Sequence, residues 1–219
     1  MLFRSTQRGI SPETWERREH FEYFTQTIKC GYSLTAELDV TEFLKLTKNK
    51  GLRFYPSFVY CVSTVINHMK EFRMGISEDG QPGYWDIVHP SYTIFHDDDH
   101  TFSDSWTNYT EDFSSFYRQM TEDLSVYGNN KGIKARPGQP PNFFCISCVP
   151  WLSFTGYSTT TAEGSPNLFP IITYGKYQIK NGRCLMPFTV TISHAAADGY
   201  HTSLLINEIQ SLISKDFTL

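Results

Sequence analysis

Apolar positions recur along this chain with two periods, and the change from one to the other sorts it into helices and strands. From Pro56 to Phe72, the residues Phe58, Val62, Val65, Met69 and Phe72 repeat at helical spacing, and Pro56 suits a first turn. Thr110 to Tyr127 predicts a second helix with Phe113, Phe116, Tyr117, Met120, Leu124 and Tyr127 on its apolar face. Thr110 can cap it, Glu111 and Asp112 favour its positive end, and Gly128 can stop it. A last helix over Asp198 to Ile213 turns Leu205, Ile209, Leu212 and Ile213 inward, and a short one is expected near Thr41 to Lys48. Strand-like runs cover Tyr32 to Val40, Tyr84 to Val88, Ser91 to His96, Phe143 to Val149, Ile171 to Gln178 and Arg183 to Ser193. A turn is expected at His89-Pro90, and Asn181-Gly182 is a hairpin signal. The Pro/Gly-rich stretch Gly128 to Asn142 reads as a loop, and no repeat or long linker divides the chain. The expectation is α/β: residues 1–219 as a single domain, a two-layer sandwich of mixed β-sheet and helices.

Composition sharpens this outline. The 219 residues suffice for a sizeable core, and 40% hydrophobic with 19% charged residues is a globular balance. Aromatic residues make up 16%, so many rings must line a core, a subunit contact or a ligand cavity. A formal charge of −4 leaves no global basic footprint for nucleic acid. No apolar run approaches the roughly 20 residues of a membrane span, and the start, MLFRSTQRGISPETW, has no apolar stretch of leader length. A cytoplasmic protein with no membrane or nucleic-acid partner is the expectation. Five cysteines at irregular spacing make no disulfide framework. Cys145 and Cys148 form a C-x-x-C, but inside a strand-like run and without a second ligand pair, so buried thiols are expected rather than a zinc or redox site.

The most informative segment is Ser193-His194-Ala195-Ala196-Ala197-Asp198-Gly199. A long strand runs out at His194, three small residues follow, and Asp198 opens a helix. That is a rigid mount for an imidazole with room beside it, and histidine titrates near neutrality, as a general base requires. The plain alternative is a core histidine next to an N-cap aspartate. His96-Asp97-Asp98-Asp99-His100 looks metal-like, but no further ligand follows at a useful spacing, so a solvated loop is expected and no metal is assigned. His201 is expected as a helix-face residue.

The pattern His194-x-x-x-Asp198-Gly199 at the end of a strand resembles the signature of the chloramphenicol acetyltransferases (type A), within the CoA-dependent acyltransferase superfamily. Other segments match that family in order. They are Trp15-Glu16-Arg17-Arg18-Glu19-His20-Phe21, Cys30-Gly31-Tyr32-Ser33-Leu34-Thr35, Phe54-Tyr55-Pro56, Phe72-Arg73-Met74, Phe95-His96 and Thr101-Phe102-Ser103. Ile146-Ser147, Pro150-Trp151, Pro170-Ile171-Ile172-Thr173 and Lys176-Tyr177 continue the series. The resemblance implies a homotrimer with active sites between subunits. It implies acetyl transfer from acetyl-CoA, a co-substrate rather than a resident cofactor, to a hydroxyl of chloramphenicol. His194 would be the general base and Ser147 the donor to the oxyanion. Asp198 would pair with Arg17 to fix the loop that aims His194; on chemistry alone, Arg18 is a rival partner.

The same resemblance places Phe24, Ile28, Cys30, Tyr32, Thr93, Phe102, Tyr157, Thr159, Ile171 and Thr173 around the acceptor, and Tyr55, Trp151, Lys176 and Tyr177 on the coenzyme side. Here the chain departs from the family's best-known members. Phe24 stands in place of Tyr, Tyr157 and Thr159 in place of Phe and Leu, and Ser193 in place of the first His of a pair; Lys134 falls near an expected Phe. One buried polar mismatch costs about 1–3 kcal/mol. Two alternatives therefore stand beside chloramphenicol acetylation: an acyltransferase for another hydroxylated small molecule, and a non-catalytic ligand-binding trimer on the same scaffold.

Overall fold

Strand alternation and helix periodicity resolve into fifteen elements in a computed structural model that describes residues 6–11, 13–160 and 167–214. In chain order they are β1 (Gln7–Gly9), α1 (Arg18–Glu22), β2 (Gly31–Asp39), α2 (Thr41–Asn49), α3 (Phe54–His68), β3 (Met74–Ile76), β4 (Pro82–Trp85) and β5 (His89–His96). Then follow β6 (Thr101–Trp106), α4 (Phe113–Tyr127), β7 (Phe143–Val149), β8 (Ile171–Gly175), β9 (Gln178–Lys180), β10 (Arg183–Ser193) and α5 (Gly199–Ser214). A wide π turn (Tyr23–Thr27) extends α1, and a tight 3-10 turn (Lys70–Arg73) follows α3. The fold is α/β with a mixed main sheet in the order β2-β10-β8-β7-β5-β6, and β9 pairs with the start of β10. The β5–β7 and β7–β8 pairs are parallel; the others are antiparallel. A second, small sheet, β1-β4-β3, was not foreseen, because strands of three or four residues carry no periodicity.

Side chains alternate across a strand, and here the two faces differ in chemistry. Phe188, Val190 and Ile192 of β10, Ile172 and Tyr174 of β8, and Phe144 and Ile146 of β7 belong to the buried apolar core. The residues between them carry hydroxyls on β8 and β10 and the Cys145 thiol on β7. Thr35 pairs with Thr189 and Ser33 with Thr191, each at 2.7 Å, and Thr93 with Ser147 at 3.1 Å. Helix α3 lies on the apolar side. Eight of the nine residues from Phe58 to Ile66 are buried, Thr64 being the exception, the mark of a helix covered all round. Phe58 is its hub: its ring meets Tyr174 at 5.0 Å, Phe54 at 5.4 Å, Phe188 at 6.1 Å and Phe43 at 6.3 Å. Helices α4 and α5 flank α3.

Several boundaries differ from expectation. Helix α3 stops at His68 because Met69 is extended, and Phe72 is buried from the tight turn instead. Asp112 caps α4, not Thr110: its carboxylate accepts from Ser115 N at 2.8 Å. His89 and Pro90 form no turn. They pair with Phe143 and Phe144, and β6 joins only at Ser91, where Pro90's missing N–H is no longer a fault. The run Ile171 to Gln178 breaks after Gly175, where a Cβ would lie 2.6 Å from Leu152 O and 2.9 Å from Pro187. Tyr84 to Val88 yields only the end of β4. Asn181 and Gly182 do make the hairpin, both at positive φ (50° and 76°).

Cys145 and Cys148, three apart on β7, face opposite sides of the sheet, and burial pushes both thiols up to about 11. Among the described residues, no helix is long and apolar enough to cross a membrane. Part of the chain start weighed above as a leader (1–5 and 12) lies outside the described residues. Replacing Phe58 by Ala removes the ring that joins α2, α3 and the sheet; a loss of about 3–5 kcal/mol in urea unfolding is expected, with little change in slope.

Candidate active site

The ladder between β10 and β2 carries one step past the strand end, since His194 N donates to Cys30 O at 3.0 Å. The chain then turns tightly. Ala196 and Ala197 N–H groups both donate back to Ser193 O, and Ala195 N to the Ser193 hydroxyl, leaving all three alanines without exposure. Larger side chains would not fit there, which explains the run of small residues. Two rings hold the His194 imidazole. Phe24, presented by the π turn, stacks on it at 4.0 Å with planes 7° apart, and Tyr32 meets it edge-on at 5.4 Å. The Tyr32 hydroxyl pairs with Thr202 Oγ1 at 2.6 Å, so α5 braces this ring. Burial pushes the Tyr32 phenol up. Among the described residues no hydrogen-bond partner meets the buried Nδ1 of His194. Apolar stacking, not a carboxylate, orients the ring.

Asp198 points elsewhere. Its Oδ2 accepts from Arg17 Nη1 at 2.6 Å, and Arg17 Nη2 reaches His194 O at 3.4 Å. Arg18 pairs with Glu22 at 2.8 Å instead. Asp198 also serves as the helix cap: Oδ1 accepts from Tyr200 N at 3.0 Å and His201 N at 3.4 Å. The His201 ring, expected merely to sit on a helix face, turns back and places Nδ1 2.8 Å from the same oxygen. Burial works to raise the Asp198 carboxyl, but hydrogen bonds from His201 and Arg17 outweigh it and hold it down at about 2.

A cavity of about 240 Å³ opens at Cys30 and Tyr32, and it reaches His194 only through Tyr32, since neither His194 nor Phe24 lines it. Four of the sequence-predicted acceptor residues line it: Cys30, Tyr32, Thr159 and Ile171. Lys29, Asn167 and Phe169 also reach it and were not anticipated. Of the remaining predicted residues, Ile28 is exposed just past the π turn, and Tyr157 packs on Phe154 at 5.8 Å.

Phe24 stays with His194, and Thr93, Phe102 and Thr173 fall in a second group with Ser147. Ser147 lies beside Thr93 and, in register on β8, Thr173. The Tyr55 hydroxyl donates to Thr93 O at 2.9 Å. Phe102 pairs across from Phe95, on which Trp151 packs edge-on at 4.5 Å. Lys176 N donates to Leu152 O at 2.9 Å, which ties the Lys176-Tyr177 link to the Trp151 loop, with Trp151 and Tyr177 both exposed. Lys134 borders this group: it is held by Asp104 at 3.1 Å, and Asp104 lies across from Thr93 on β6.

These two groups do not meet within one chain. Ser147 aligns with Thr173, and Thr173 with Thr189. His194 lies two strands over and five residues further on, hence about 10 Å across and 17 Å along the sheet. The acidic loop shows no third role: Asp98 and Asp99 pair with Lys131, and His96 Nε2 lies 2.8 Å from Ser103 Oγ. Among the described residues, no group of three or more His, Cys, Asp and Glu could hold a metal. His201 and Thr202 were the informative omissions. Their signal was spacing, since residues three and four after Asp198 share its face of a helix.

The arrangement has close counterparts. A solved chloramphenicol acetyltransferase superimposes with a TM-score of 0.83 at 26% identity, covering 95% of this chain and all of that one. A family model described as chloramphenicol acetyltransferase matches residues 7–210. A chloramphenicol acetyltransferase from Clostridium perfringens is 40% identical over 205 residues, 94% of each chain. One from Vibrio anguillarum is 39% identical over 206 residues, again 94% of each. The fold is that of an acyltransferase. The chain belongs to the chloramphenicol acetyltransferase family.

Asp198 has a pH consequence. Its folded value lies below the ordinary 3.8, so its contribution to stability is complete above that value and is lost as pH falls toward 2. The gap in urea midpoint between the native chain and Asp198→Asn should shrink to about half between pH 5 and pH 3.

Proposed function

We propose that this chain is an O-acetyltransferase that moves acetyl from acetyl-CoA to a hydroxyl of chloramphenicol, with His194 as general base. The observation that carries this reading is the His194 mount: an imidazole clamped by Phe24 and by Tyr32, which itself lines a cavity, with its loop tied by the Arg17–Asp198 pair. Relatives named chloramphenicol acetyltransferase at about 40% identity support the choice of substrate.

The step is direct. Neutral His194 takes the proton of the acceptor hydroxyl, whose oxygen attacks the thioester carbonyl. A tetrahedral oxyanion forms and the Ser147 hydroxyl donates to it. Thr93 Oγ1, 3.1 Å away, can donate to Ser147 and leave the serine hydrogen free for this task. The C–S bond then breaks, and the departing sulfur takes the proton back from the imidazolium. The products are an acetyl ester and CoA thiol, and no resident cofactor takes part. Tyr55, Trp151, Lys176 and Tyr177 would receive the coenzyme, the exposed rings against adenine and the lysine against phosphate.

The distance between His194 and Ser147 along the sheet supports a shared site. We assign the active unit as a homotrimer of single-domain, two-layer protomers, in which His194 of one subunit faces Ser147 and the acceptor pocket of its neighbour. The cavity wall also favours a second acceptor reading. Thr159 lines the cavity, and Phe24 offers no hydroxyl where it stacks on His194, so another hydroxylated small molecule is a competing acceptor.

Released thiol, measured with acetyl-CoA and chloramphenicol, tests the assignment. Turnover is expected, and none from a folded protein removes the substrate; a panel of other alcohols then decides between the second acceptor and a non-catalytic binder. His194→Ala should lower kcat by about 10²–10⁴, and a loss under tenfold would remove the mechanism. Ser147→Ala should cost on the order of 10². Sedimentation should give three times the chain mass.

A further inference from the structure

The two oxygens of Asp198 have different duties. Oδ2 holds Arg17, and Oδ1 collects three donors from the first turn of α5: the backbone N–H groups of Tyr200 and His201, and the His201 ring at 2.8 Å. An ionised carboxylate only accepts, so His201 Nδ1 carries the hydrogen. The side chain of His201 is 18% exposed, and its Nε2 lies 3.9 Å from Glu71 Oε1, too far for a direct hydrogen bond. Lys70, Arg73, Tyr84 and Tyr200 line the same hollow. A carboxylate turns about one soft torsion. The backbone donors alone hold Oδ1 at 3.0 and 3.4 Å; the ring donor is shorter and is the one a substitution can remove.

We propose that His201 is a positioning residue for the acetyl-transfer reaction. Its Nδ1–H locks the Asp198 carboxylate so that Oδ2 keeps Arg17 in place, and Arg17 in turn holds the His194 carbonyl. The imidazole of His194 is thereby aimed through a relay that begins in α5. This rests on the assignment of His194 as the base. It also places the charged pair under the control of a residue that touches neither substrate.

Two amide variants separate positioning from mere support of the helix. In His201→Asn the amide N–H falls near Nδ1; in His201→Gln it falls near Nε2. Both are polar and comparable in a helix. With acetyl-CoA and an acceptor that is turned over, His201→Gln should lower kcat about tenfold, the worth of one hydrogen bond to a charged group, while both KM values stay within about twofold. His201→Asn should keep kcat within about threefold.

A second readout needs no acceptor. In 15N-histidine spectra, the His194 ring signal, identified by its loss in His194→Ala, should keep its native position and width in His201→Asn. In His201→Gln it should shift and broaden as the loop that carries the ring loosens. Equal kcat values for the two amide variants, a change confined to KM, or an unaltered His194 signal in His201→Gln would overturn the proposal. A glutamine variant that fails to fold also counts against it, because His201 would then be holding the helix rather than the base. If the native enzyme turns over no acceptor, the spectra still decide, so the two assignments fail separately.

Discussion

A guanidinium and a carboxylate that are 181 positions apart in the chain hold this site together. Arg17 precedes the first helix and Asp198 opens the last, and their contact closes the chain near its two ends. The geometry explains why Asp198 cannot be the third member of a catalytic triad. Its oxygens are taken by Arg17 and by the start of α5, whereas the buried Nδ1 of His194 meets no hydrogen-bond partner among the described residues. The ring is instead fixed by packing. Phe24 covers one face, Tyr32 abuts the edge, and Thr202 anchors Tyr32. An ion pair sets the loop and aromatic contacts set the ring.

Much of this was legible in the residue pattern, though by two different routes. Long periodic segments declared themselves: α4 begins within three residues of its expected start, and β10 matches its expected span. Short or composite elements did not. The small sheet β1-β4-β3 and the π turn that presents Phe24 lie in stretches with no sustained period. His89-Pro90 has the residue signature of a turn yet lies in β5, because at the end of a ladder proline's missing donor costs nothing. The pairing of Arg17 with Asp198 came from family resemblance, since no spacing rule links positions so far apart. Helical spacing puts His201 on the face of Asp198, but an i, i+3 neighbour gains meaning only where the carboxylate holds something else.

The sheet itself divides labour. Its apolar face, covered by α3 and its neighbours, supplies the stability; its hydroxyl face supplies donors without bulk. Serine and threonine keep strand geometry and offer O–H groups to a polar ligand. Phe24 and Thr159, two positions where this chain departs from the family pattern, lie off that frame, one in the π turn and one in a loop.

The spacing between Ser147 and His194 reaches beyond a single molecule. On the proposed assignment of His194 as base and Ser147 as oxyanion donor across a subunit contact, a chain that lacks the imidazole still presents the donor, and one that lacks the serine still presents the base. Mixed in one oligomer with shared sites, two such inactive chains contain the parts of a whole centre, so a host with two different broken copies would regain part of the activity that neither copy has alone.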